Sequence, residues 1–396
     1  MSQMNRRRAL QLFAALGTTG FAAACGSDTD DKTATANLGP IKIGLIAPRA
    51  GGFKTIGDDI TNGFRLFLDL HDQRLGGHPV DLLTADEGES AKTGKAAVDD
   101  LLKQGVLALT GVVNSSVMVG IRDTVEQARV PLVGSNASPT SLQSVVYIWR
   151  TSYVLDEAGR AMGSYLRTKL PANGRVAIIV PENVGSPDVV RGFREAFGAS
   201  DPRIADPVTF TNPSPNPSKT QYVSDIERAL AKNPTAVFCF FAGAAGLEFI
   251  KQLRDTYSGP IYAPGFLTEG TVLETLQKDA LGIQTALNYS ADLNNTSNRV
   301  FASAYRKKHQ ATPTTYAMAS YDAAQVLDQA IRLTGGAPTP QQVNLALGKI
   351  GQIDSPRGIW QFNQPRTPQQ KWYLREVQRD GQVMSNVLIN ELDTLG

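Results

Sequence analysis

The sequence predicts an α/β chain built as two successive parallel-sheet lobes. Three observations carry this. Short β-branched runs alternate with helical stripes along most of the chain. The alternation stops near Arg150-Thr151 and then starts again. The composition, 42% hydrophobic and 19% charged over 396 residues, is that of a globular protein with a sizeable core.

The first lobe opens with Ile41–Ala47, a β-branched run ending at Pro48. Ile60, Phe64, Phe67 and Leu68 then lie on one face of a helix predicted over Gly57–Asp72. Gly76-Gly77 breaks the chain before a strand at Val80–Thr84. A helix over Ser90–Lys103, a strand over Val106–Val113, a helix over Ser116–Ala128 and a strand at Val130–Val133 follow. Such repeated β-α units predict a parallel sheet covered on both faces.

The second series begins with a helix over Val154–Leu170 and a buried strand at Arg175–Val180. Next come a helix over Val189–Phe197 and a strand at Pro207–Phe210. Pro213, Pro215 and Pro217 make the following segment a loop. Tyr222, Ile226 and Leu230 form a helix stripe, and Val237–Phe241 reads as a strand. A helix over Gly246–Tyr257 and a short strand at Ile261-Tyr262 complete the series. Beyond Leu287, helices are predicted at Arg299–His309, Tyr316–Leu333 and Pro340–Leu347, and strands at Ile359–Phe362, Trp372–Val377 and Val383–Ile389. Arg379-Asp380-Gly381 is a hairpin signal between the last two.

The N-terminus reads as an export address. Arg6, Arg7 and Arg8 precede an uncharged stretch, Ala9–Ala24, that ends in small residues. The paired arginines resemble a twin-arginine signal. Ala22-Ala23-Ala24-Cys25 resembles a lipobox, which makes Cys25 the lipidation site after removal of residues 1–24. That cleavage removes three arginines and no acid, so the formal charge of +2 belongs to the leader. Residues 25–40, rich in Ser, Asp, Thr and Gly, read as a flexible tether. The charge balance gives no reason to expect a nucleic-acid partner. His71, His78 and His309 lack metal-ligand spacing, Cys239 sits in a buried-strand pattern, and no metal or other cofactor is expected.

In open parallel sheets, ligands bind beyond the carboxyl ends of the strands. Two such ends are rich in small polar residues. Ser115 and Ser116 follow Gly111–Asn114, with Ser115 placed to cap the next helix and its free N–H groups placed to attract an anion. Asn136, Ala137 and Ser138 form the other. Arg49 and Phe53 flank Gly51-Gly52 after the first strand, and Arg49 is suited to a ligand carboxylate. Asp86-Glu87 reads as a hydrated strand end. No phosphate-binding loop, nucleophile elbow or HExxH motif is present.

Taken in order, these pieces resemble the substrate-binding lipoproteins of ABC importers, of the leucine/isoleucine/valine-binding type. The match runs from Ile41 to Leu388 and includes Gly57-Asp58, Asn62-Gly63, Thr84–Glu87, Trp149-Arg150-Thr151 and Ala319–Ala324. The resemblance implies two Rossmann-like lobes joined by three hinge crossovers, the type I periplasmic binding protein fold. Lobe 1 would hold residues 41–150 and 289–358, and lobe 2 residues 151–288 and 359–396. It implies that Ser115, Ala137 and Ser138 hold a ligand carboxylate, with Glu269 the nearest acid for an ammonium and Phe266 beside it. The match is weaker there, so an amide or an organic or aromatic acid is as consistent as a branched-chain amino acid. It further implies a monomer, anchored by lipid to the outer face of the cytoplasmic membrane, that closes on a small solute and delivers it to a permease and its ATPase. A ligand sensor of the same fold is one alternative. A secreted α/β hydrolase is another, but it needs a nucleophile and base that no spacing supplies.

Overall fold

The computed structural model describes residues 38–142, 144–214 and 216–396. The leader and Cys25 lie outside the described residues. The first segment runs β1 (Ile41–Ala47), α1 (Lys54–Leu70), β2 (Arg74–Leu75), β3 (His78–Asp86) and α2 (Ala91–Lys103). It continues through β4 (Ala108–Gly111), α3 (Ser115–Ala128), β5 (Leu132–Gly134) and β6 (Ile148–Arg150). The sheet order is β2-β3-β1-β4-β5-β6. All pairs are parallel except β2/β3.

The local chemistry accounts for the main elements. Ile56, Ile60, Phe64, Phe67 and Leu68 bury one face of α1. The helix starts before the expected Gly57 because a 3-10 turn, Gly51–Phe53, feeds straight into it. Ser90 and Thr93 form a reciprocal capping box at α2.

The second segment runs α4 (Leu155–Lys169), β7 (Val176–Pro181), α5 (Ser186–Phe197), β8 (Thr209–Thr211), α6 (Val223–Leu230) and β9 (Ala236–Cys239). Then come α7 (Gly243–Arg254), β10 (Ile261–Pro264), α8 (Thr271–Leu276) and β11 (Gln284–Leu287). The chain next forms α9 (Thr296–His309), α10 (Thr315–Arg332) and α11 (Pro340–Leu347). α10 returns to the first sheet and packs on α1, where a Cβ on Gly63 would lie 2.0 Å from the Ala317 carbonyl oxygen. Only glycine permits that approach. The chain ends in β12 (Gln352–Ser355), β13 (Gly358–Phe362), β14 (Pro368–Asp380) and β15 (Val383–Leu395). The second sheet runs β12-β13-β14-β11-β10-β9-β7-β8, with β15 on β14. The four strands from β12 pair antiparallel and β7–β11 parallel. The turn at Gly381 closes the β14–β15 hairpin, as its residues predict.

A buried polar node ties the crossings between the lobes together. Arg357 and Asp322, nearly inaccessible to solvent, pair at 2.6 Å. Arg357 also donates to the carbonyls of Thr151 and Ser152, just after β6. The Asn288 amide, just after β11, donates to Ser152 O at 2.8 Å and to Gln370 Oε1 at 2.9 Å. Gln370 donates to the same Ser152 carbonyl at 2.9 Å. An unpaired charge here would be strongly destabilising, so the node holds the three chain passages in one register.

Candidate functional site

Each sheet has one point where the chain leaves a strand for opposite sides. In the first sheet it lies between β1 and β4, in the second between β7 and β9. Ligand crevices form at such points. A cavity of about 510 Å³ lies between the two, within the range of small-molecule sites.

The first lobe contributes Phe53 and Ile56 after β1, Val113–Ser116 after β4, Asn136 and Ala137 after β5, and Tyr316 from α10. Tyr153 and Leu155, just past β6, also line it. The second contributes Asn183, Val184 and Gly185 after β7, Phe240–Ala242 after β9, Phe266 after β10, and Tyr222. Phe266 is the aromatic hub. Its ring centroid lies 4.8 Å from Tyr153, 6.2 Å from Phe240 and 6.3 Å from Tyr316. Glu89, exposed to solvent, is the one charged side chain lining the cavity among the described residues.

The polar end is built on backbone. Glu87 is fully buried, and its carboxylate accepts the Val113 and Asn114 N–H groups, each at 2.7 Å. Burial pushes its carboxyl up to about 8 despite those two bonds. Asn114 caps α3, accepting from the Ser116 N–H at 2.8 Å and the Ser116 hydroxyl at 2.7 Å. Ser115 is thereby left at the first helical position, lining the cavity. Val112, at φ 69°, is held in the left-handed region, a strain of about 1–3 kcal/mol for a β-branched residue. Asn136 is fixed from three sides: its amide donates to Val113 O at 2.9 Å, its carbonyl accepts the Ser152 hydroxyl at 3.0 Å, and its Oδ1 accepts the Tyr153 hydroxyl at 3.3 Å. These bonds hold the strand ends rigid and leave Ser115, at the N-terminus of α3, facing an aromatic chamber, an arrangement that suits an anion on an apolar body.

Of the residues expected from sequence, Ser115, Ser116, Asn136, Ala137, Phe53 and Phe266 come together at this cavity. Ser138 is buried beside Ala137, and its hydroxyl has no hydrogen-bond partner, but it is not a lining residue. Arg49 is exposed and outside the cavity. Its guanidinium donates to Thr84 Oγ1 and its N–H to Asp86 Oδ1. Glu269 does not line the cavity either. It pairs with Arg375 at 2.7 Å and accepts the Thr315 N–H at 2.6 Å. Two local expectations are corrected: the cap of α3 is Asn114 rather than Ser115, and Glu87 is a buried acceptor rather than a hydrated strand end. Sequence reasoning missed Tyr153, Tyr222, Phe240 and Tyr316. Tyr222, Phe240 and Tyr316 sit in an apolar run or helix stripe, where an aromatic reads as core, and Tyr153 follows the polar Thr151-Ser152 just before α4.

Two α/β lobes enclosing a ligand cavity at their facing strand ends define a solute-binding protein. Residues 40–382 match the periplasmic binding protein family, and the chain belongs to it. Leu/Ile/Val-binding protein homolog 6 of Brucella melitensis is 26% identical over 350 residues, covering 85% of this chain and 87% of that protein. A solute-binding protein of an ABC transporter from R. palustris, solved in complex with benzoate, superposes with a TM-score of 0.81 at 24% identity. The match covers 90% of this chain and 97% of that one. The leucine-binding protein LivK of Thermotoga maritima gives 0.80 at 19% identity, covering 89% and 99%. Proteins of this kind work outside the cytoplasm and serve ABC transporters. Among the described residues, no helix is long and apolar enough to cross a membrane.

Proposed function

We propose that the cleft captures a small monocarboxylate with an aromatic or branched apolar body and no ammonium group, and that the lobes close on it for delivery to an ABC permease. The single observation behind this is the placement of charge. Among the described residues the one acid lining the cavity is Glu89, which is exposed to solvent; Phe266 occupies the wall after β10, and Glu269 is engaged by Arg375 and Thr315. An ammonium brought there would lose its hydration without a counter-charge, at several kcal/mol. A carboxylate instead meets Ser115 at the N-terminus of α3, with Ser116 lining the wall beside it and bonded to Asn114. We further assign to the same group the buried, unpaired hydroxyl of Ser138, next to the lining residue Ala137. The benzoate complex of the R. palustris protein supports this choice of ligand.

The proposed division of labour assigns residues 41–150 and 289–358 to one lobe and 151–288 and 359–396 to the other. The twin-arginine-like leader would export the chain, and acylation of Cys25 would hold it at the membrane as a monomer. We assign it capture and no catalysis. Glu89 favours one second reading, an amino acid whose ammonium reaches it.

A thermal-shift screen over benzoates, branched carboxylates, amides and amino acids tests the proposal. A ligand at 100 times its dissociation constant adds about 2.7 kcal/mol of stability. Stabilisation by the acids and not by their amino counterparts is expected. Stabilisation by amino acids alone would overturn it.

A further inference from the structure

We infer that Glu269 is a cross-lobe latch: a positioning residue that caps α10 of the first lobe from the second and thereby sets affinity for every ligand alike. The inference rests on the capture function proposed above. Glu269 follows β10, on the second sheet, while Thr315 opens α10, which packs on α1 of the first. The two meet at 2.6 Å, with the Thr315 N–H donating to Glu269 Oε2. A first-turn helix N–H has no partner within its own helix, so the carboxylate of the other lobe supplies it. The carboxylate also lies at the positive end of the helix dipole.

Glu269 is held for this task. Arg375 on β14 donates to its other oxygen at 2.7 Å, and also to the carbonyl of Tyr289 at 3.1 Å. Both side chains are buried, so the pair does not swing. Beside it, the Gly270 position packs against Thr314 and Asp59. Asp59 accepts from the Thr314 hydroxyl at 3.0 Å and the Tyr305 hydroxyl at 3.1 Å. The second lobe thus seats on a hydrogen-bonded first-lobe socket next to the cavity wall at Tyr316. Where opening parts this contact, which the Thr315 hydroxyl bond to Asn288 places close to the crossing, the Thr315 N–H and the carboxylate return to water and the bond favours the closed form. A contact present only in the closed form raises affinity without touching the ligand.

One substitution abolishes this bond. Thr315→Pro removes the N–H at the first helical position, which proline tolerates within the helix, and sets its ring Cδ where the N–H pointed, so Glu269 must draw back from α10. Thr314 already has the extended conformation, φ −95° and ψ 167°, that a residue before proline needs. Thr315→Val is the control: it keeps the N–H and loses only the hydroxyl bond to Asn288 Oδ1. Titrations with benzoate and 4-methylpentanoate should show about 10- to 100-fold weaker binding for Thr315→Pro, the same factor for both, mainly in the dissociation rate. In the native chain, hydrogen exchange at the Thr315 amide should slow when benzoate is added. Equal affinities for Thr315→Pro and Thr315→Val, or a loss confined to one ligand, would overturn the latch. Failure of the native chain to bind either probe would instead overturn the capture function.

Discussion

Replacing Glu87 with Gln separates its two roles, as acceptor for the loop carrying Ser115 and as a buried titrating group. The native carboxyl is raised from 4.5 to about 8 by burial. The folded state therefore holds its proton more tightly than the unfolded chain. Its contribution to stability is constant below about pH 4.5, falls as pH rises through that window, and levels off above about 8. At about 1.4 kcal/mol per pH unit the full window is worth at most about 5 kcal/mol. Gln keeps one acceptor for the two N–H groups and leaves the other facing an amide NH2, which costs about 1–3 kcal/mol. The variant is therefore expected to be less stable than the native chain at pH 5, and to close or invert the gap at pH 8.5. Denaturant unfolding across this range measures it. Asp59, raised to about 7, and Glu157, raised to about 8, titrate in the same direction in both proteins and cancel in the difference. A gap that stays constant with pH would refute the reasoning.

Two further outcomes are expected. Ser115→Ala combined with Ser138→Ala should weaken benzoate binding by about 1–3 kcal/mol for each charged hydrogen bond lost, measured by calorimetry; native affinity would remove both residues from the site. Cys25→Ala should move the protein from the membrane fraction to the soluble one, read by fractionation and immunoblotting, and retention would mean another anchor.

The fold was legible because its signals are local and periodic. The stripe of α1, the capping residue Ser90 and the turn at Gly381 each act within a few residues of themselves. Short strands were harder. β11 lies between helical stretches and β12 between α11 and β13; they are set by pairing with β14 and β13, which no local pattern reveals. The small polar strand ends at Ser115 and Asn136 were readable for the same reason as the turns. The aromatic chamber was not, because Tyr316 and Phe240 have the spacing of core residues and only the tertiary arrangement turns them toward a cavity. Glu269 and Arg375 are 106 positions apart, and nothing in the sequence links them.

The most direct test of the central claim is calorimetric titration of a matched pair, 4-methylpentanoate and leucine, which differ only by the α-ammonium. With the solvent-exposed Glu89 the one acid lining the cavity among the described residues, the carboxylate should bind at least about 100-fold tighter, the equivalent of about 2.7 kcal/mol. Leucine binding as tightly as 4-methylpentanoate, or tighter, would contradict the account and make Glu89 the partner of its ammonium.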